Sequence, residues 1–445
     1  MLIRILSVIL SAFMVLPAPV WAANVYWASS TGSNVIACAS ILSTGTSAAP
    51  GSDPGSYGTI GRAAACATTA GDVVNIKAGT YTSSNDRITS GAMFTSGSSD
   101  SVRTIIQGNP GGAVPQINVP NWFTTDESSG THRNYFTIQD VSVSGSGGAD
   151  GGGCEIGIEG AYILVQRVTI TNSYNMNICS FSGTSASANN HDHVVKNNSL
   201  QGAGSGDGCG YGLYSNASNV TFEHNEVFGG KCGGVQIYAD DFAVDNPIIR
   251  ANYIHDIAKA TQANVLNLCF GIAVNGANAK VYNNIVDGAG CAGGGAGDGI
   301  SAGYRTTNVL LAYNNIIVNW NGYGINHGLF ATTSGSEAKN NIILSNTSGS
   351  IGNASANGSS ITTATNKTTG SLTDCTVSTS DFTHKTGSSC LDVGTTVATV
   401  ADDYIGTSRP QNGIYDQGPY ERIVSEGGGG STGNLGRSSK GLGLF

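Results

Sequence analysis

Short runs in which apolar and polar residues alternate recur along the middle of this chain, and each is interrupted at a matching point by asparagine. The units are Lys196-Asn197-Asn198-Ser199-Leu200, His224-Asn225-Glu226-Val227, Ala251-Asn252-Tyr253-Ile254, Asn283-Asn284-Ile285-Val286, Asn314-Asn315-Ile316-Ile317 and Asn340-Asn341-Ile342-Ile343. The recurring asparagines at 198, 225, 252, 284, 315 and 341 are spaced 27, 27, 32, 31 and 26 residues apart. A motif at such a period marks stacked supersecondary units, not a globular core with one centre. Alternation with period two on either side predicts a strand before and a strand after each turn. Asparagine suits the turn because it tolerates left-handed backbone, and its side-chain amide can hydrogen-bond to the same group one layer up.

The strand before the turn reads as Val220-Thr221-Phe222-Glu223, Pro247-Ile248-Ile249-Arg250, Ala279-Lys280-Val281-Tyr282 and Asn308-Val309-Leu310-Leu311. Tyr135-Phe136-Thr137-Ile138 and Tyr162-Ile163-Leu164-Val165 are earlier copies without the asparagine. A third strand lies upstream and is often introduced by glycine, as in Gly234-Val235-Gln236-Ile237-Tyr238 and Gly271-Ile272-Ala273-Val274. Three short strands per layer, no long helix and many Gly/Asn turns predict an all-β parallel β-helix solenoid. Sandwiches and propellers need hairpin or blade signatures at other periods.

Around this array the reading assigns residues 1–22 to a signal peptide, 23–130 to an N-terminal cap and first coils, and 131–350 to the coils proper. Residues 351–424 form an irregular C-terminal region, and 425–445 a Gly/Ser-rich flexible tail. The leader rests on Arg4, the apolar stretch Ile5 to Leu16 and Val20-Trp21-Ala22 before a cleavage site. A short helix is expected within 57–66, where it would cover the apolar end of the stack. No later run of about 18 apolar residues is present, so the mature chain has no predicted transmembrane helix.

Composition narrows the partners. Charged residues make up 11%, the net charge is -9 and no Lys/Arg cluster occurs, which disfavours nucleic acid. The 40% hydrophobic content in period-two runs argues against disorder. Ten cysteines fit an exported protein with disulfides, the pairing being open. Zinc is the rival use, but no Cys-x-x-Cys pair occurs.

The strand–Asn–strand units resemble the asparagine ladder of right-handed parallel β-helix proteins of the pectate-lyase-like superfold, over most of residues 60–350. Ala70-Gly71-Asp72-Val73-Val74 with Lys77-Ala78-Gly79-Thr80-Tyr81 is similar to the first coil of many secreted members. Arg409-Pro410 with Tyr415-Asp416-Gln417-Gly418-Pro419-Tyr420-Glu421 resembles the end of bacterial surface β-helix proteins, departing at two positions from their usual Asp-Ile-Gly-Ala-Tyr-Glu. The resemblance implies a right-handed coil that binds or cleaves an extracellular polysaccharide, or else serves as an adhesin.

Lyases of that superfold take the proton alpha to a uronate carboxyl, which needs a base and a way to neutralise the carboxylate, often calcium held by acidic side chains. The candidate cluster is Lys231, Tyr238, Asp240, Asp241, Asp245 and Arg250. Lys231 or Arg250 is the expected base, and Asp240 and Asp241 the expected calcium ligands. Alternation turns Gln236 and Tyr238 outward, and adjacent layers add Tyr214, Asn216 and Asn275 to a sugar-binding face. Glu155 and Glu159 flank an earlier copy of that strand. His191-Asp192-His193 could bind a metal or act as a base, but such a run is more often a polar loop; His224 and His255-Asp256 read as turn residues. His327 shares the parity of Ile325 and is expected to point inward. The alternatives are a non-catalytic surface protein and a glycoside hydrolase built on Asp240-Asp241 and Asn326-His327-Gly328. The sequence leaves the oligomeric state open.

Overall fold

The structure, a computed structural model, describes residues 24–31, 38, 56–89, 94–125, 132–145, 153–173, 175–180, 189–202, 210–239, 244–257, 269–289, 297–302, 309–327, 335–353 and 361–423. The expected signal peptide, Asp240, Asp241, Cys209, Cys291 and the expected tail fall outside them.

Every strand pair in the coils is parallel, and the strands sort into one 12-stranded and two 10-stranded sheets. The first sheet holds the strands before the asparagine turn, from Val25–Ala28 to Thr362–Ala364. The second holds those after it, from Thr80–Tyr81 to Ile342–Leu344, and the third the glycine-led strands, from Ile88–Thr89 to Gly349–Asn353. Because the repeat is in register, one apolar position per strand stacks on its equivalent above and below. Val195, Phe222, Ile249 and Val281 line up in the first sheet, and Leu213, Val235, Ile272 and Ile300 in the third. All are buried in one continuous core. At the N-terminal end the helix Ile60–Cys66 adds Ile60, Ala63 and Ala64 to that core, as expected of a cap.

The glycines that lead the third strands are a packing requirement. Gly212, Gly234, Gly271, Gly299 and Gly324 face Val227, Ile254, Val286, Ile317 and Ile343 of the second sheet. A Cβ on Gly271 would lie deep inside van der Waals contact of Val286 Cγ1. Gly271→Ala is therefore expected to cost roughly 1–3 kcal/mol, read by denaturant unfolding. Combining it with Val286→Ala should make the pair less costly than the sum of the two single changes; simple additivity would refute the steric account.

The asparagine turn divides its work between two residues. The left-handed one is the residue before the recurring asparagine: Asn197, His224, Ala251, Asn283, Asn314 and Asn340 have φ between 52° and 58°. This corrects the expectation that the recurring asparagine itself takes that conformation. Its side chain is instead buried in a ladder. Asn198, Asn225, Asn252, Asn284, Asn315 and Asn341 each donate from Nδ2 to the Oδ1 of the next, at 2.9–3.0 Å, and the series ends on Asn366. Tyr135 and Tyr162, expected to start strands, are also left-handed, and their rings stack at 4.5 Å.

After Ala364 the chain leaves the coils and returns along their outer surface as a strap. Leu372 and Phe382 pack in a cluster with Ile316, Val318, Ile342 and Leu344 of the second sheet. Val397, Val400 and Tyr415 pack with Tyr282 and Tyr313 of the first. The left-handed asparagines aim their amides at it: Asn283 donates to Asp402 O at 2.8 Å, Asn314 to Asp416 O at 2.9 Å and Asn340 to Thr395 O at 2.8 Å. Disulfides join Cys38 to Cys66, Cys154 to Cys179 and Cys375 to Cys390. Cys232 and Cys269 are also disulfide-bonded. Among the described residues no cysteine is free, which removes the zinc reading. No helix among them is long and apolar enough to cross a membrane.

Candidate functional site

The outer face of the third sheet is built by alternation. Since Leu213, Val235 and Ile272 point into the core, Tyr214, Gln236 and Ala273 after them point out. The glycine before each core residue also faces inward and breaks the alternation there, so a second row stands outside one residue earlier, with Tyr211 against Tyr214. Register aligns Tyr211, Gly233, Phe270 and Asp298 in one row. It aligns Tyr214, Gln236, Ala273 and Ser301 in the other, with Asn326 next to Ser301. Gly233 has no side chain to separate its neighbours, so Tyr211 and Phe270 stack across it with centroids 5.7 Å apart. Tyr214 stands 5.5 Å from Tyr211 and 5.5 Å from Tyr238. The result is a connected aromatic platform bordered by amides. Gln236 Oε1 is buried with no hydrogen-bond partner, and Asn275 lies beside Tyr238, donating its backbone N–H to Ile237 O at 3.1 Å.

The structure divides the charged residues of the predicted cluster among several places. Lys231 sits where the chain turns from the second sheet into the third, and is 3% exposed. Tyr238 follows the other end of the strand Gly233–Ile237, on the order of 15–20 Å away at the rise of an extended chain. Lys231 and Tyr238 thus flank the face on opposite sides. Arg250 is not on this face. It lies in the first sheet, where its Nε donates to Glu223 Oε2 at 2.7 Å and its Nη1 is 3.6 Å from Asp402 of the strap. Asp245 bridges to Ala277 just before that sheet.

Asp298 is the carboxylate that the sequence reading missed. Its Oδ1 accepts from Tyr323 N at 2.8 Å and its Oδ2 from Asn326 Nδ2 at 2.7 Å, while burial pushes its pKa up. The signal was available in the register, since Asp298 is the equivalent of Phe270 and Tyr211. Glu155, by contrast, faces inward and accepts from Asn121 N at 3.0 Å.

The histidines sit in different surroundings. His327 is fully buried with neither ring nitrogen hydrogen-bonded, and burial lowers its pKa. His193 is likewise in the core, held by Asn190 Oδ1 at 2.7 Å and pushed down to about 3. His191 pairs with Asp192. His255 lies between Glu226 Oε1 at 3.3 Å and Asp256 Oδ2 at 3.0 Å on the second sheet.

No protein-family model matches the chain, and no curated protein matches it in sequence. Solved structures do match. One, described as pectate lyase Pel9A, superimposes with a TM-score of 0.51 at 14% identity, over 89% of this chain and 96% of that one. Another, described as rhamnogalacturonan lyase, gives a TM-score of 0.53 at 12% identity, over 80% of this chain and 91% of that one. The fold shared with these structures is the right-handed parallel β-helix. At such low identity the likeness concerns the fold, and function has to be argued from the site. In this β-helix the outer face of the third sheet combines stacked aromatics with amides.

Proposed function

We propose that this β-helix is secreted and binds an extracellular polysaccharide along the outer face of the third sheet, cleaving it by β-elimination. The observation that carries the reading is the platform of Tyr211, Phe270, Tyr214 and Tyr238, flanked by Gln236 and Asn275. Aromatic faces accept the apolar faces of sugar rings, and amides accept and donate to hydroxyls. A sheet that repeats its rows every ~4.8 Å suits a long polymer. The two similar structures are described as a pectate lyase and a rhamnogalacturonan lyase, which favours an acidic substrate and elimination. Disulfides fit the secreted location.

In this reading Lys231, beside the face, takes the proton alpha to the uronate carboxyl; Arg250 is committed to Glu223 in the first sheet. Tyr214, Tyr238, Gln236 and Asn275 hold the sugar. Calcium on Asp240 and Asp241 belongs to the proposal, and a bound ion would neutralise the substrate carboxylate. Among the described residues no group of three or more His, Cys, Asp or Glu side chains is placed to hold a metal ion, so no step is assigned to it.

A second reading, a non-catalytic glycan-binding surface protein, is favoured by Asp298, whose two oxygens are both engaged in hydrogen bonds within the protein. The hydrolase reading is weakened by the inward His327.

The test incubates the protein with uronate and neutral polysaccharides, with and without calcium, following ultraviolet absorbance from new double bonds and reducing ends. Both signals are expected on an acidic polymer. Asp240→Ala with Asp241→Ala should abolish turnover, and Lys231→Ala should do so at unchanged KM. Tyr214→Ala with Tyr238→Ala should raise KM roughly tenfold. Reducing ends without absorbance would replace elimination by hydrolysis, and binding without either signal would establish the second reading.

A further inference from the structure

The outward row that carries Tyr214 and Gln236 continues to the N-terminal end of the third sheet. Its members follow in register from Thr89 through Thr124, Gly157 and Cys179 to Tyr214. Thr89 is thus four inter-strand steps from Tyr214, about 19 Å at the usual spacing. Beside Thr89 opens a cleft of about 450 Å³ between the capping helix and the segment 84–89. Its polar lining is Thr59, Arg62, Ser84, Asn85, Arg87 and Thr89.

Two arginines meet there because the two backbones touch. A Cβ on Gly61 would lie 2.5 Å from Asn85 O and 2.7 Å from Arg87 O, so only glycine lets the helix sit this close. The side chains at 62 and 87 therefore start from adjoining backbones and line one cleft. The acidic residue between them in sequence, Asp86, does not line it. Its carboxylate is buried and turned to the helix start, accepting from Ile60 N and Ser83 N at 3.1 Å each. Among the described residues the cleft thus has two guanidinium groups, three hydroxyls, one amide and no carboxylate, on a chain of net charge -9. Guanidinium is the side chain best matched to a planar carboxylate, which it can grip through two parallel hydrogen bonds.

We propose that this cleft is an anion-binding subsite that takes the carboxylate of an acidic sugar unit, on a polymer that also stacks on Tyr214. It deepens the functional reading above by extending the binding face to the cap and by selecting acidic over neutral chains. Arg62 is exposed, so Arg62→Ala leaves the core intact. Calorimetric titration of the full chain with an oligogalacturonate and with its methyl-esterified counterpart, both long enough to span the face, separates the two ideas. Arg62→Ala is expected to weaken the acidic oligomer about fivefold and leave the esterified one unchanged, an exposed ion pair being worth this much. Added salt should weaken only the acidic oligomer. Arg62→Lys should recover part of the loss, and Tyr214→Ala should weaken both oligomers. If Arg62→Ala and Arg87→Gln both bind the acidic oligomer like the parent while Tyr214→Ala does not, the subsite is overturned and the face stands. If Arg62→Ala weakens binding and Tyr214→Ala does not, the face is overturned and the subsite stands. A parent that binds neither oligomer overturns both.

Discussion

Arg409→Ala is expected to free the C-terminal strap from the coils at a cost of roughly 3–5 kcal/mol, because it leaves a buried carboxylate without its partner. The Arg409 side chain donates from Nη1 to Glu421 Oε2 at 2.8 Å and to Asp416 O at 3.2 Å, and from Nη2 to Gly418 O at 2.8 Å. The two ion-pair side chains are 0% and 1% exposed. Glu421 in turn accepts from Gln411 N at 2.9 Å and Asp416 N at 3.1 Å. Burial lowers the pKa of Arg409 and raises that of Glu421, so each charge is held in the interior chiefly by the other and by these hydrogen bonds. Limited proteolysis would report the loss as new cleavage within 367–423 while the coils persist. Resistance equal to the parent's would refute the assignment. Arg409→Met with Glu421→Leu should recover much of the loss, since replacing both members removes the unpaired charge. The C-terminal motif that resembles the end of surface proteins is thereby explained as a lock on the strap.

The second large effect is expected at the centre of the ladder. Asn252 donates to Asn284 Oδ1 at 3.0 Å and to Phe222 O at 2.8 Å, and accepts at Oδ1 from the backbone and side-chain nitrogens of Asn225 at 2.9 and 3.0 Å. Asn252→Ala strands several of these buried groups at once, each costing about 1–3 kcal/mol when unsatisfied, so a net loss of roughly 3–5 kcal/mol is expected. Asn366→Ala, at the end of the series and partly exposed, should cost about 1 kcal/mol. Urea unfolding of the two variants provides the comparison. Equal losses would mean that the ladder is not a buried network whose worth depends on position.

Much of this architecture could be read from the chain because the fold is local and repetitive. Ile249 or Val281 declares its inward direction through its neighbours, and the asparagine period fixes the coil length. Asn366 escaped notice because its strand, Thr362-Thr363-Ala364, is polar and lacks the apolar flank of its predecessors. The strap escaped for a different reason. Earlier coils alternate after the turn, as in Ser199-Leu200-Gln201, while later ones read Ile316-Ile317-Val318 and Ile342-Ile343-Leu344. Such continuous apolar runs belong to strands covered on both faces, and the cover here comes from residues that carry no repeat. The site was legible in part. Parity put Gln236 and Tyr238 outward, but sequence distance placed Arg250 near them. In a solenoid, residues a dozen positions apart sit on different sheets, while Tyr211 and Phe270 touch across a whole intervening coil.

The strap also acts as a ruler. Its carbonyls at 395, 402 and 416 are pinned to Asn340, Asn283 and Asn314, three points on successive coils. Adding one coil between Asn283 and Asn340 would stretch that span by about 4.8 Å, one inter-strand step, and break the match. Adding one before His224 would shift the docked coils and the strap together and leave every contact between them intact. The N-terminal half of this molecule is therefore free to change length by whole repeats, and the strap fixes the coil count of the other half.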